Sequence, residues 1–252
     1  MANSLGAHRG SDCGIRGWFG DDGWMNFSSR IFSINIWEPP QPNMTNDLIR
    51  LPLDNPNVFT DGMLAGVALE AFREMQIICQ ALNLPQNNWP FVMTAIQLGG
   101  EIFLASSLKY RGDGFVNVFP NSPVAESLRR CANFPEELPV SQYSKRNGYV
   151  HRAAGNCGEP CAMQLLYNQY PTTNPKTTVL RWRCVTICGD RGGSILPACG
   201  RERPGSGTKM WGCSRFLTEL NVREVDSHTV IVPFNAHWVV DVVDTCLTSC
   251  QD

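Results

Sequence analysis

Cys157, Glu159 and Cys161 stand on alternate positions of GNCGEPCAMQLLY, residues 155–167, just ahead of an apolar run with helical character. A thiol and a carboxylate this close are either packing residues or two parts of one reaction centre. At a helix start, backbone N–H groups and the helix dipole stabilise a thiolate. Asn156 is expected to cap this helix and Pro160 to fit its first turn, which puts Cys157 at the start. A second helix, CSRFLTEL, is expected to begin at Cys213, and Cys199 lies in the loop ahead of it. Two helix starts facing each other across a sheet would present three thiolates, Cys157, Cys199 and Cys213, to one metal. Zinc takes such ligands at about 2.3 Å and, with three of them, keeps a fourth position for water. It acidifies that water to a pKa near 7. Glu159 would stand beside the water and pass its proton to a leaving nitrogen. Cys188, which ends the preceding strand, is the alternative to Cys199.

The other cysteines have simpler expectations. Free cysteine is among the most buried residue types, so Cys79, Cys131, Cys161 and Cys184 are read as packing residues. Cys246 and Cys250 would pair with each other or bind nothing. His151, six positions before Cys157, is expected to be a hydrogen-bonded surface histidine.

The elements that must position these residues follow from periodicity. Leu64, Val67, Phe72, Met75, Ile78 and Leu82 recur at helical spacing from about Asp61 onward. Two apolar runs, FVMTAIQL and EIFLASSL, are joined by Gly99-Gly100 and read as a β-hairpin. Ser122-Pro123 opens a short helix, VAESLRRCANF. TTVLRWRCVTIC reads as a strand, GDRGGSILPACGRERPGSGTKM as a long irregular insertion, and SHTVIVPF as a last strand. This order argues a three-layer α/β/α domain with a mixed sheet over residues 61–252. Residues 1–60, rich in Gly, Trp, Asn and Pro, read as an extended N-terminal arm packed on that body, with a strand-like FSSRIFSINIW.

Composition narrows the class. The 252 residues carry a net charge of −2, yet residues 145–215 hold eleven Lys or Arg against three acids. That excess of +8 leaves −10 for the remainder. A positive field around the cysteines would attract a phosphate-bearing partner, a nucleotide or nucleic acid. Trp182, Trp211 and Tyr149 are candidates for stacking on its bases. No apolar segment is long enough to cross a bilayer, and the N-terminus MANSLGAHRGSD has no apolar h-region. An intracellular chain, cytoplasmic or nuclear, with reduced thiols is therefore expected. The sequon at Asn43 is then not expected to be used.

Cys157-Gly158-Glu159 resembles the Cys-x-Glu half of the zinc-dependent cytidine deaminase superfamily. The second half of that pattern, Pro-Cys-x-x-Cys opening the next helix, is similar to Pro197-Ala198-Cys199 and Cys213-Ser214-Arg215-Phe216. Between them GRERPGSGTKMWG replaces the usual two residues, an insertion whose closure cost grows only slowly with length. AIQLGGEIFLASS matches the hairpin that opens the fold. The resemblance spans roughly residues 61–235 and is closest to divergent fungal and bacterial-toxin-like deaminases. It implies a cytidine deaminase-like fold and a bound Zn2+ held by Cys157, Cys199 and Cys213. Glu159 would be the proton shuttle in hydrolytic deamination of a nucleobase, cytosine favoured, in DNA, RNA or a nucleotide. The run SSLKYRG lacks the Asn that nucleoside deaminases place there.

Two other functions fit the same residues. GNCGEPC also looks like the nucleophile turn of papain-like cysteine hydrolases, with His237 as base for Cys157 and Asp241 or Asp244 to orient it. Alternatively the cysteines hold a structural zinc, with Cys188 as fourth ligand, in a non-catalytic nucleic-acid-binding module.

Overall fold

The structure, a computed structural model, describes residues 46–81, 83, 86, 89–107, 115–132, 151, 153–173, 182–189, 192–200, 211–238 and 243–247. It is a mixed α/β body built on a largely antiparallel sheet. The strands are β1 (Asn46–Pro52), β2 (Val92–Leu98), β3 (Glu101–Ser106), β4 (Trp182–Cys188), β5 (Ser194–Ile195), β6 (Arg223–Glu224) and β7 (Val243–Leu247). They run in the order β5-β4-β2-β3-β1-β7, with β6 paired to the other end of the β4 edge. Of these pairings, β4 with β6 is the parallel one.

The hairpin forms where Gly99-Gly100 predicts it. Leu98 pairs with Glu101 across the turn, and Gly99 takes a φ of 56°. β2 is buried along nearly its whole length, and so is β4. Strands buried on both faces need a helical layer on each. Met93, Ala95, Val185 and Ile187 face one apolar cluster, whereas Ile96, Leu98, Trp182 and Cys184 face the other. That alternation is the two-residue period of a pleated strand.

Helix α1 (Asp61–Ala81) covers the first face. Thr60 Oγ1 accepts the Met63 N–H at 3.2 Å and so caps it. Leu64, Val67, Ala68, Ala71, Phe72, Met75 and Cys79 form its buried stripe. The second face carries α2 (Phe115–Val118), α3 (Pro123–Ala132), α4 (Gly158–Gln169) and α5 (Cys213–Glu219). α3 starts as its Ser-Pro predicts, with Ser122 Oγ accepting the Ala125 N–H at 3.0 Å.

Two expectations change. The segment SHTVIVPF is not a strand of the sheet. It runs along α1, where the Val232 N–H donates to the Gly62 carbonyl at 3.0 Å. A Cβ on Gly66 would meet the Val232 carbonyl oxygen at 1.9 Å, so the glycines of α1 make the groove that takes this segment from the sheet. The sheet also begins before residue 61, because β1 lies between β3 and β7. FSSRIFSINIW and the rest of residues 1–45 lie outside the described residues, as do Asn43, Tyr149, Asp241 and Cys250. Among the described residues no helix is long and apolar enough to cross a membrane.

Nine of the eleven basic residues counted between 145 and 215 also lie outside the described residues. Of the other two, Arg183 has a structural task. Its Nη1 donates to Asp61 Oδ1 at 2.9 Å, and Arg223 reaches the same carboxylate at 2.8 and 2.6 Å. Hydrogen bonds and charge from Arg223, then Arg183, hold the Asp61 carboxyl below the usual aspartate range. This carboxylate also sits in the first turn of α1, where the helix dipole favours an anion.

Candidate metal centre

The turn leading into α4 is wound tightly. Ala154 N–H donates to the His151 carbonyl at 2.7 Å, and Asn156 N–H to the Ala153 carbonyl at 2.9 Å. Ala154 and Gly155 both take positive φ, 55° and 78°. The helix therefore starts one residue later than expected: its cap is Cys157, in an extended conformation, and not Asn156. The Cys157 thiol makes no capping hydrogen bond to the helix N–H groups and points instead to Cys199 Sγ. Gly158 follows because there is no room for a side chain. A Cβ there would lie 2.3 Å from Thr94 Oγ1.

Cys213 is the first residue of α5, as expected, and Gly212 is its cap. Cys199 approaches from the loop after β5. Leu196 N–H donates to the Thr186 carbonyl at 2.8 Å, and Glu224 of β6 accepts the Ala198 N–H at 2.6 Å. These bonds pin the loop to β4 and β6. The Cys213 N–H then donates to Cys199 Sγ at 3.2 Å, and Ser214 N–H to the Cys199 carbonyl at 3.0 Å.

His151, Cys157, Cys199 and Cys213 offer donor atoms that all lie within 4.8 Å of one another. Cys157 Sγ and Cys199 Sγ are 3.7 Å apart. Two sulfurs on one tetrahedral zinc, each at about 2.3 Å, would be separated by about 3.8 Å. The donor set thus fits a thiophilic metal ion such as zinc. The three expected cysteines meet, and Cys188 is not in the group. His151 is the residue that sequence reasoning missed. It is fully buried, with Nε2 at 3.2 Å from Cys213 Sγ and 3.5 Å from Cys199 Sγ, and is no surface histidine. Its spacing from Cys157 carried no recognisable signal.

The thiols share charge unequally. Hydrogen bonds from Cys157, then Cys213 and His151, pull the Cys199 thiol far below the usual range. Cys157 is pushed up chiefly by donating to Cys199, and Cys213 by its burial. Negative charge in the trio is thus favoured on Cys199 over its two neighbours.

Glu159 is buried beside this group, and Thr186 Oγ1 donates to its Oε1 at 3.2 Å. Thr94 Oγ1 lies 2.8 Å from Thr186 Oγ1, which extends the chain across β2 and β4. Desolvation, then the charge of Cys199, raises the Glu159 carboxyl above its ordinary value. A cavity of about 350 Å³ opens onto Cys157, Glu159 and Cys199. Phe91, Val92, Leu196 and Pro197 give it apolar walls, and Ser107, Asn156 and Thr186 add polar atoms. Asn156 Oδ1 is buried with no hydrogen-bond partner among the described residues.

Other expectations do not converge here. Trp182, on β4, and Trp211, ahead of α5, are buried in the core between sheet and helices and present no stacking face. His237 is exposed on a 3-10 turn, Ala236–Trp238, whose Trp238 packs with Phe59 and Phe234 in the cluster under α1. Cys157 packs against the cluster on the opposite face of the sheet. The structure therefore separates the thiol–imidazole pair that a papain-like reaction needs. Cys79, Cys131, Cys161 and Cys184 are buried among the core residues, as read from the sequence. No family model, curated protein or solved structure matches this chain.

Proposed function

We propose that this protein is a zinc-dependent hydrolytic deaminase of a nucleobase, cytosine favoured, from the cytidine deaminase-like superfamily. The observation that carries the reading is Glu159 buried beside three converging cysteines at the end of a cavity. Cys157, Cys199 and Cys213 would hold zinc. Bound there, it would supply Lewis acidity to a water at its fourth position. Glu159 would take a proton from the attacking water and deliver it to the departing amine, so that water adds to the ring carbon, the C–N bond breaks and ammonia leaves. A carboxyl raised by burial is suited to both halves of that transfer. The apolar walls suit a flat ring, and the unpartnered Asn156 Oδ1 would accept an N–H from it. The excess of basic residues between 145 and 215 favours a nucleotide or nucleic acid over a free base.

Zinc-loaded protein incubated with cytosine-containing DNA, RNA and nucleotides should release ammonia and leave uracil. Glu159→Ala should keep its zinc and lose turnover. Undiminished turnover in that variant would sink the mechanism. A second reading, a closed structural zinc in a nucleic-acid-binding module, is favoured by one observation: a fourth donor, His151, stands in the group. It predicts tight metal and no turnover.

A further inference from the structure

We propose that His151 is not the fourth ligand of this centre but a hydrogen-bond donor to its thiolates, positioned so that the fourth coordination site stays open toward Glu159. The inference rests on the metal-centre reading above and decides between its catalytic and structural forms.

Distance alone does not assign the ring. A nitrogen and a sulfur bound to one tetrahedral zinc would be about 3.5 Å apart. An N–H donating to sulfur spans a similar range. Nε2 lies 3.2 Å from Cys213 Sγ and 3.5 Å from Cys199 Sγ. The other ring nitrogen decides. Nδ1 accepts the backbone N–H of Ala153 at 3.1 Å. An accepting Nδ1 carries a lone pair, so the one proton of the neutral imidazole is on Nε2. A nitrogen that bears a proton has no lone pair to give a metal. Ligating histidines direct their second nitrogen, as N–H, at a carboxylate, carbonyl or water. Here that second nitrogen meets a donor, which is the wrong polarity.

The ring is held in this sense. It is fully buried and meets Trp211 edge-on, with centroids 5.1 Å apart and an interplanar angle of 90°. A half-turn of the ring would place a carbon against the Ala153 N–H and leave that donor unpaired. The cavity agrees with the assignment. Cys157, Cys199 and Glu159 line it, whereas His151 and Cys213 do not. Donation also has a use. Three thiolates more than neutralise a divalent ion and weaken it as a Lewis acid. The Nε2–H of His151 and the backbone N–H of Cys213, 3.2 Å from Cys199 Sγ, draw charge off the sulfurs.

X-ray absorption at the zinc edge of wild-type protein tests this without any mutation. The expected first shell is three sulfurs and one oxygen, with no outer-shell scattering from imidazole. Long-range proton–nitrogen NMR of 15N-histidine protein should place the His151 proton on Nε2 in the zinc-loaded state. His151→Ala should still bind about one zinc per chain, with affinity reduced roughly 10- to 100-fold, and His151→Gln should recover part of the loss. Imidazole scattering with a proton on Nδ1, or loss of zinc from both folded variants, would overturn the assignment while leaving the metal centre standing. Wild-type protein that binds no zinc would overturn the centre itself and this role with it.

Discussion

A Cβ on Gly200 would lie 2.3 Å from the backbone nitrogen of Gly212, so the two glycines touch across the base of an eleven-residue excursion. A Cβ on Gly212 would in turn sit 2.4 Å from the Cys199 carbonyl oxygen and 2.8 Å from its sulfur. Gly200 also takes a φ of 85°, which side-chain-bearing residues rarely adopt. The pinch sets Cys199 under the Cys213 N–H and makes neighbours of two candidate ligands 14 positions apart. Gly200→Ala and Gly212→Ala should each weaken zinc binding. Strain of roughly 1–3 kcal/mol corresponds to about five- to hundredfold in affinity. Competition against a chromophoric chelator measures it, and unchanged affinity in both variants would show that the pinch does not position the ligands.

Zinc loading should release protons. Their surroundings favour the protonated thiol at Cys157 and Cys213 and the thiolate at Cys199. Ligation needs all three as thiolates, so about two protons leave per zinc and affinity falls as pH falls. Calorimetry in buffers of different ionisation enthalpy counts them. Zinc held only by the folded chain would stabilise it, so a chelator should also lower the melting temperature. A pH-independent affinity between pH 6 and 8, about the range where thiols beside a metal lose protons, would contradict this charge distribution.

Glu159→Gln should retain zinc and lose about 10²–10⁴ in turnover, the usual share of a proton-transfer group. Thr186→Val removes the hydroxyl that donates to Glu159 Oε1. That bond favours the charged carboxylate, so its loss raises the carboxyl further. The acidic limb of the rate profile, set by Glu159 in its basic form, should move to higher pH. A limb that stays in place would mean another group limits the rate.

Glu74 makes a prediction about stability alone. It is buried on α1, its Oε2 finds no partner among the described residues, and desolvation, then the charge of Glu70, pushes its carboxyl up to about 9 from 4.5. The folded state thus prefers the neutral acid. Its contribution is complete below the unfolded value near 4.5 and is lost as pH rises toward 9. By pH 7, about 2.5 pH units above the unfolded value, the loss is roughly 3 kcal/mol. Urea midpoints should fall across this window in wild type and stay flatter in Glu74→Gln. Parallel curves for the two proteins would falsify the assignment.

Much of this was legible because it is local. The hairpin at Gly99-Gly100, the helix starts near Asp61 and at Ser122-Pro123, and the helix at Cys213 depend on residues a few positions apart. Backbone sterics and capping act at that range. The Cys-Gly-Glu triplet placed a thiol and a carboxylate at one helix start for the same reason. By itself the sequence determined these elements, and it nominated Cys157, Cys199, Cys213 and Glu159.

Tertiary structure decided what range could not. The glycines of α1 drew an alternating, strand-like SHTVIVPF onto a helix, because close backbone approach outweighed the pairing its pattern offers. His237 and Cys157 ended on opposite faces of the sheet, although both sit in segments that suit catalysis. Cys199 joined the group and Cys188 did not, because Thr186 and Glu224 anchor the intervening loop. His151 became a partner of Cys199 and Cys213 only when two consecutive turns folded it beneath Trp211. Its role follows from one backbone N–H aimed at one ring nitrogen, a relationship that exists only once the chain has folded.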